Sequence, residues 1–225
     1  MSADIDRGED SYGISTTFSL MRELQFMLYK IARSAELGDP NVLADIQREA
    51  DIALRLIDSY MATASIESGQ TALELSPIGL GSLLHETAYE VRSACGAGVE
   101  IQTKSLQPVM ANNLLLKNFL FSIGYYISKA SDSHLNFCSF KATGGTVGVG
   151  VVSKNFDISA DDLRKALVNH STYMPMARHT NQSAIMLLVA DAIAKALGSK
   201  LAVKKLGRSK GFCVILPKSE QLALV

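Results

Sequence analysis

Apolar residues at Met21, Leu24, Leu28, Ile31 and Ala35, spaced 3, 4, 3 and 4 apart, constrain this chain more than any other feature of it. That rhythm is the seam of a long helix packed on other helices, and it predicts a helix over 17–37. Gly38 stops it, and Asp39 and Pro40 suit the N-cap and first turn of a second helix. There Leu43, Ile46, Ala50, Ala53, Ile57 and Tyr60 repeat the same spacing. A helical hairpin results. One narrow seam per helix buries little, so a second copy completing a four-helix bundle is the economical partner. The alternative is a hairpin folded onto the rest of its own chain.

After Ser68 and Gly69 the period changes. Thr71–Leu75 alternates as a short strand, Ile78–Arg92 is an amphipathic helix, and Val99–Thr103 alternates again. Asn113–Lys129 is apolar and long enough to be a buried helix. Leu135–Ala142 and Val147–Val152 bracket Gly144 and Gly145 as a hairpin. Ser159 caps a short helix to Val168, 170–180 is irregular, and Ser183–Leu197 is a helix ended by Gly198. Lys200–Lys205 and Phe212–Leu216 then pair across Gly207–Gly211. The expected architecture is α+β: a flexible tail at 1–16, a dimerisation hairpin at 17–68, and an α/β sandwich at 69–225 with helices on one face of a mixed sheet.

At 225 residues the chain holds one or two domains. Its 48% hydrophobic and 20% charged residues describe a soluble globular protein. Lys+Arg 22 balance Asp+Glu 22, so no global basic field exists to gather nucleic acid. The balance is uneven: up to residue 70 there are 6 basic and 12 acidic residues. Cys95, Cys138 and Cys213 are odd in number and far apart, which fits neither a disulfide framework nor a zinc knuckle and points to a reducing cytoplasm. No apolar run reaches the ~18 to 20 residues of a membrane span, and 1–13 lacks the apolar core of a signal peptide.

A helical hairpin followed by an α/β sandwich ending in strand, turn, strand and Leu216-Pro217 resembles bacterial sensor histidine kinases, over about Thr17 to Lys218. These join a dimerisation hairpin to the ATP-binding domain shared with gyrase and the heat-shock chaperones. The compact length also resembles histidine phosphotransferases that keep the hairpin and a degenerate ATPase-like domain. The resemblance implies four functional boxes, and each is altered here. In the register Arg22-Glu23-Leu24-Gln25-Phe26-Met27-Leu28, Arg22 stands in the phosphoacceptor slot, and an arginine stays protonated and is no nucleophile. In Ser122-Ile123-Gly124-Tyr125-Tyr126-Ile127, Tyr126 stands where an asparagine amide holds magnesium, and a phenol is a poor magnesium ligand. The adenine-reading Asp-x-Gly-x-Gly corresponds to the stretch from Ser153 to Asp157, with the carboxylate lost and both glycines replaced. The Gly-Leu-Gly of the phosphate lid corresponds to Ala184-Ile185-Met186.

The expected protein is therefore a homodimeric, cytoplasmic, histidine-kinase-like pseudokinase with no cofactor and no metal, working by protein contact in two-component signalling. Its degenerate cleft is Ser122, Tyr126, Ser153, Asp157, Ala184 and Met186. The resemblance implies a response-regulator receiver domain as partner, docking on Arg22, Glu23, Phe26 and Tyr29. Two rivals stand beside this. One is an atypical kinase or phosphotransferase that uses ATP differently or takes His85 as a displaced acceptor. The other is a small-molecule sensor whose former cleft, lined by Tyr125, Tyr126, Phe156 and Met186, takes an apolar ligand. His85-Glu86-Thr87-Ala88-Tyr89 begins like a helical zinc site but puts Tyr89 at the second ligand position. His134, His170 and His179 have no ligand-spaced companions. Lys200, Lys204, Lys205, Arg208 and Lys210 form a basic edge suited to solvation or an acidic partner.

Overall fold

A computed structural model describes residues 24, 25, 27–33, 35, 40–131, 134–168 and 182–220. Helix α1 is helical at 24, 25, 27–33 and 35. Next come α2 (Pro40–Glu67), β1 (Ser76–Ile78), α3 (Leu80–Cys95), β2 (Val99–Thr103), β3 (Val109–Ala111), α4 (Asn113–Ala130) and β4 (Leu135–Lys141). The chain continues through β5 (Thr146–Ser153), α5 (Ala160–Val168), α6 (Gln182–Ala196), β6 (Ala202–Leu206) and β7 (Ser209–Pro217). Among the described residues no helix is long and apolar enough to cross a membrane.

The main sheet runs β2-β4-β5-β7-β6, with β2 and β4 parallel and the other neighbours antiparallel. Strand alternation sets its two faces. Val147, Val149 and Val151 of β5 turn toward the helices and join the main core, while Val152 lies in a smaller cluster on the opposite face with Cys138, Phe140 and Cys213. Burial pushes the Cys138 thiol up to about 12 and the Cys213 thiol to about 11, so both stay protonated. The β4–β5 hairpin turns through Gly144 and Gly145, at φ 68° and 72°, the left-handed region glycine favours.

One expected strand is corrected, and one strand was not expected. Thr71–Leu75 forms no strand; the strand lies just after it, where Ser76, Pro77 and Ile78 pair antiparallel with Ala111, Met110 and Val109 of β3. β3 itself, three residues long, is too short to show a period.

The packing of the hairpin also departs from its seam. On α2 the buried side chains are Ile52, Ala53, Leu56, Ser59 and Thr63, whereas Leu43 is 71% exposed. On α1 Met27 is buried and Leu28 is 62% exposed. The spacing 52, 56, 59, 63 has the same 4, 3, 4 rhythm but includes two hydroxyls. Thr63 is buried without penalty because its Oγ1 donates back to the Ser59 carbonyl at 3.0 Å and the Tyr60 carbonyl at 2.9 Å. This face of α2 packs on α6 and α4, so Met27, Ile52 and Leu56 belong to one hydrophobic core with the sandwich. α2 thus carries two apolar stripes, and the one holding Leu56 folds onto its own chain.

Candidate functional site

Helix α4 carries the magnesium position of the resemblance. It starts cleanly because the Asn112 side chain accepts from the Leu115 N–H at 3.1 Å, and it is buried on most sides from Leu115 to Ile127. Ser122 and Tyr126, four residues apart, lie on one face, 2% and 3% exposed. The Tyr126 ring meets Phe156 edge-on at 6.1 Å and Phe212 at 5.8 Å, and Phe156 and Phe212 lie 5.4 Å apart. Three elements, α4, the segment after β5, and β7, thus converge in a T-shaped aromatic triad, the geometry that ring quadrupoles favour. Burial raises the Tyr126 pKa, so its phenol stays neutral. Ile185 and Met186 of α6 are each 1% exposed in the same core.

Ser153, which the resemblance sets in the adenine-carboxylate position, is buried at the end of β5, with Leu135 on one neighbouring strand and Lys210 on the other. Asp157, in a glycine position, turns outward and pairs with Lys210. Beyond it, Ser159 and Asp162 start α5 as a capping box: the Ser159 hydroxyl donates to the carboxylate at 2.6 Å and accepts from the Asp162 N–H at 3.0 Å. These bonds hold the Asp162 carboxyl below the usual range. Ala184 lies in α6. Arg22, Glu23, Phe26, His170 and His179 lie outside the described residues, while Tyr29 is 61% exposed on α1.

At the position where the resemblance implies a magnesium-holding amide, the side chain is a buried neutral phenol packed against two rings, which does not fit a magnesium ligand. The apolar-ligand cleft is corrected too: Tyr126, Phe156 and Met186 are core residues, each no more than 3% exposed. Tyr125 stacks instead on Phe121, at 6.1 Å and 18°, with the Lys129 amine over its ring. His85 is exposed on α3, and its neighbour Glu86 is held by Lys117 at 2.7 Å. The His134 ring fills the space beside Gly98, where a Cβ would come 2.1 Å from its Nδ1, so this histidine packs a turn. Among the described residues no three His, Cys, Asp or Glu side chains gather to hold a metal.

An ion-pair chain ties the hairpin to the sandwich, and no sequence spacing announces it. Arg55 of α2 lies 4.1 Å over the Phe121 ring and donates to Glu90 of α3 at 2.7 Å. Lys117 of α4 reaches Glu90 and Glu86, both at 2.7 Å. Burial opposes the charged Lys117, but its bonds to the two carboxylates outweigh that and raise its pKa.

The fold is similar to that of solved histidine kinases. The chain is similar to the Acinetobacter baumannii histidine kinase AdeS at 13% identity and a TM-score of 0.56, covering 89% of this chain and 96% of that one. It is similar to ShkA, solved full-length in complex with AMPPNP, at 17% identity and a TM-score of 0.57, covering 95% of this chain but only 47% of ShkA. The mycobacterial sensor histidine kinase MprB matches at 14% identity and a TM-score of 0.50, over 64% of this chain and 98% of that one. No family model matches the sequence, and a search of curated proteins gives no significant match. The fold is the histidine kinase fold: a helical hairpin with an ATPase-like sandwich.

Proposed function

We propose that this chain is a catalytically degenerate, histidine-kinase-like signalling protein that acts by protein contact in a two-component pathway. The observation that supports this reading is the aromatic triad of Tyr126, Phe156 and Phe212, which buries Tyr126, the residue that the resemblance sets in the metal-ligand position. Losing a charged hydrogen bond costs about 1.5 to 3 kcal/mol. With the metal ligand, the adenine carboxylate and the lid glycines all replaced, roughly 5 kcal/mol of binding is gone, more than about a thousandfold in affinity. Arg22 in the acceptor slot adds a second, independent block to phosphorylation.

In this reading a receiver domain docks along Arg22, Glu23, Phe26 and Tyr29, with the guanidinium facing acidic groups of the receiver. The test incubates the protein with magnesium and γ-labelled ATP beside a set of receiver domains. The expected outcome is no acid-labile label on the chain, receiver binding without transfer, and binding weakened by about 2 kcal/mol in Arg22→Glu. Label on His85 identifies an atypical kinase or phosphotransferase instead.

Dimerisation through the hairpin belongs to the same reading. Leu43, Ala50 and Ile57 recur every seven residues on the face of α2 turned away from α6, and Leu43 and Leu28 are largely exposed. Light scattering should give twice the 24.2 kDa chain mass. Leu43→Asp, at an exposed site, should yield a folded monomer; a dimer that survives it places the interface elsewhere.

A further inference from the structure

We infer that the groove between α2 and the α3–α4 pair is a docking site for a basic amphipathic helix of another protein. It goes beyond the receiver docking proposed for Arg22, Glu23, Phe26 and Tyr29. The groove is a cavity of about 760 Å³ floored by Ile52 and Phe121 and rimmed by Leu54, Tyr89 and Leu114. These rim residues are 58%, 72% and 60% exposed, which is unusual for three large apolar side chains around one concavity. Past Leu114 a second cavity of about 490 Å³ continues along α2 to Ile66. Arg48 to Ile66 spans about 27 Å of helix, room for a helical segment of about 18 residues laid alongside.

Charge selects the occupant. Arg48 is taken by Asp45 and Arg55 by Glu90, so the groove's cations are already paired. Asp51 and Asp58, two turns apart on the α2 rim, are exposed and form no ion pair among the described residues. An apolar trough edged by unpaired carboxylates suits a helix with leucine-like anchors and lysine or arginine beside them. A second copy is a poor occupant: α2 has five acidic residues against two basic ones, α3 two against one, α5 and α6 are balanced, the lysines of α4 lie on a helix already buried in the core, and Lys30 of α1 is paired with Glu49.

The probe is a fluorescein-labelled helical peptide of about 18 residues, with leucines at i, i+3, i+4 and i+7 and lysines flanking them, titrated against the full chain by anisotropy. A twin peptide carries glutamate for lysine. The lysine peptide should bind at about micromolar concentration and the glutamate peptide about tenfold or more weaker. Leu114→Ser should weaken the lysine peptide about tenfold while leaving the circular dichroism unchanged. Asp51→Asn with Asp58→Asn should narrow the difference between the peptides and reduce the salt dependence. Equal binding of both peptides, no binding by either, or loss of binding in Leu43→Asp but not in Leu114→Ser overturns the assignment. In the last case the peptide sits on the hairpin seam. A nucleotide titration on the same preparation reports separately on the pseudokinase reading.

Discussion

Phe212→Ala is expected to destabilise the protein by about 3 to 5 kcal/mol, a large part of the roughly 5 to 15 kcal/mol that holds a domain folded. Phe212 is fully buried in the middle of β7 and touches both other rings of the triad, at 5.8 Å and 5.4 Å. Truncation removes the apolar area, two edge-on ring contacts and the filling of the space between α4 and the sheet. Phe212→Leu, which keeps most of the volume, should cost about 1.5 kcal/mol or less. Urea unfolding followed by circular dichroism measures both. A loss below about 1 kcal/mol for the alanine variant means that the rings do not fill this space and that the cleft is open.

Leu56→Ala is expected to cost about 2 to 5 kcal/mol and to lower the stability of the whole chain, not of the hairpin alone. Leu56 is 1% exposed on the face of α2 that packs on α6 and α4, inside the same core as the sandwich. Near-ultraviolet signal from Tyr125 and Tyr126 reports the sandwich, and far-ultraviolet signal weights the helices. Both should move to lower urea together in one transition. A separate early loss of helix, with the tyrosine signal left at the wild-type midpoint, shows two independent units.

What the sequence made legible follows from the range of the interactions involved. Heptad spacing, capping residues and turn glycines act over a few residues, so the hairpin, the Asn112 and Ser159 caps and the β4–β5 turn could be read directly. The side α2 would bury could not, because its seam and the Ile52–Leu56–Ser59–Thr63 stripe have the same period and only contact with α6 decides between them. At the site, Tyr126 and Phe156 stood out by their positions in the boxes. Phe212 lies 56 residues beyond Phe156 in an ordinary strand pattern, and nothing local shows that the three rings meet. The same holds for Arg55, Glu90 and Lys117, whose pairing is created by the packing of three helices.

Calorimetric titration with ATP at millimolar magnesium tests the central claim most directly, since it reads nucleotide binding independently of any partner. No heat beyond dilution is expected at about 1 mM nucleotide, in line with the more than about thousandfold loss of affinity in the proposed reading. A saturable site with a low-micromolar dissociation constant contradicts it.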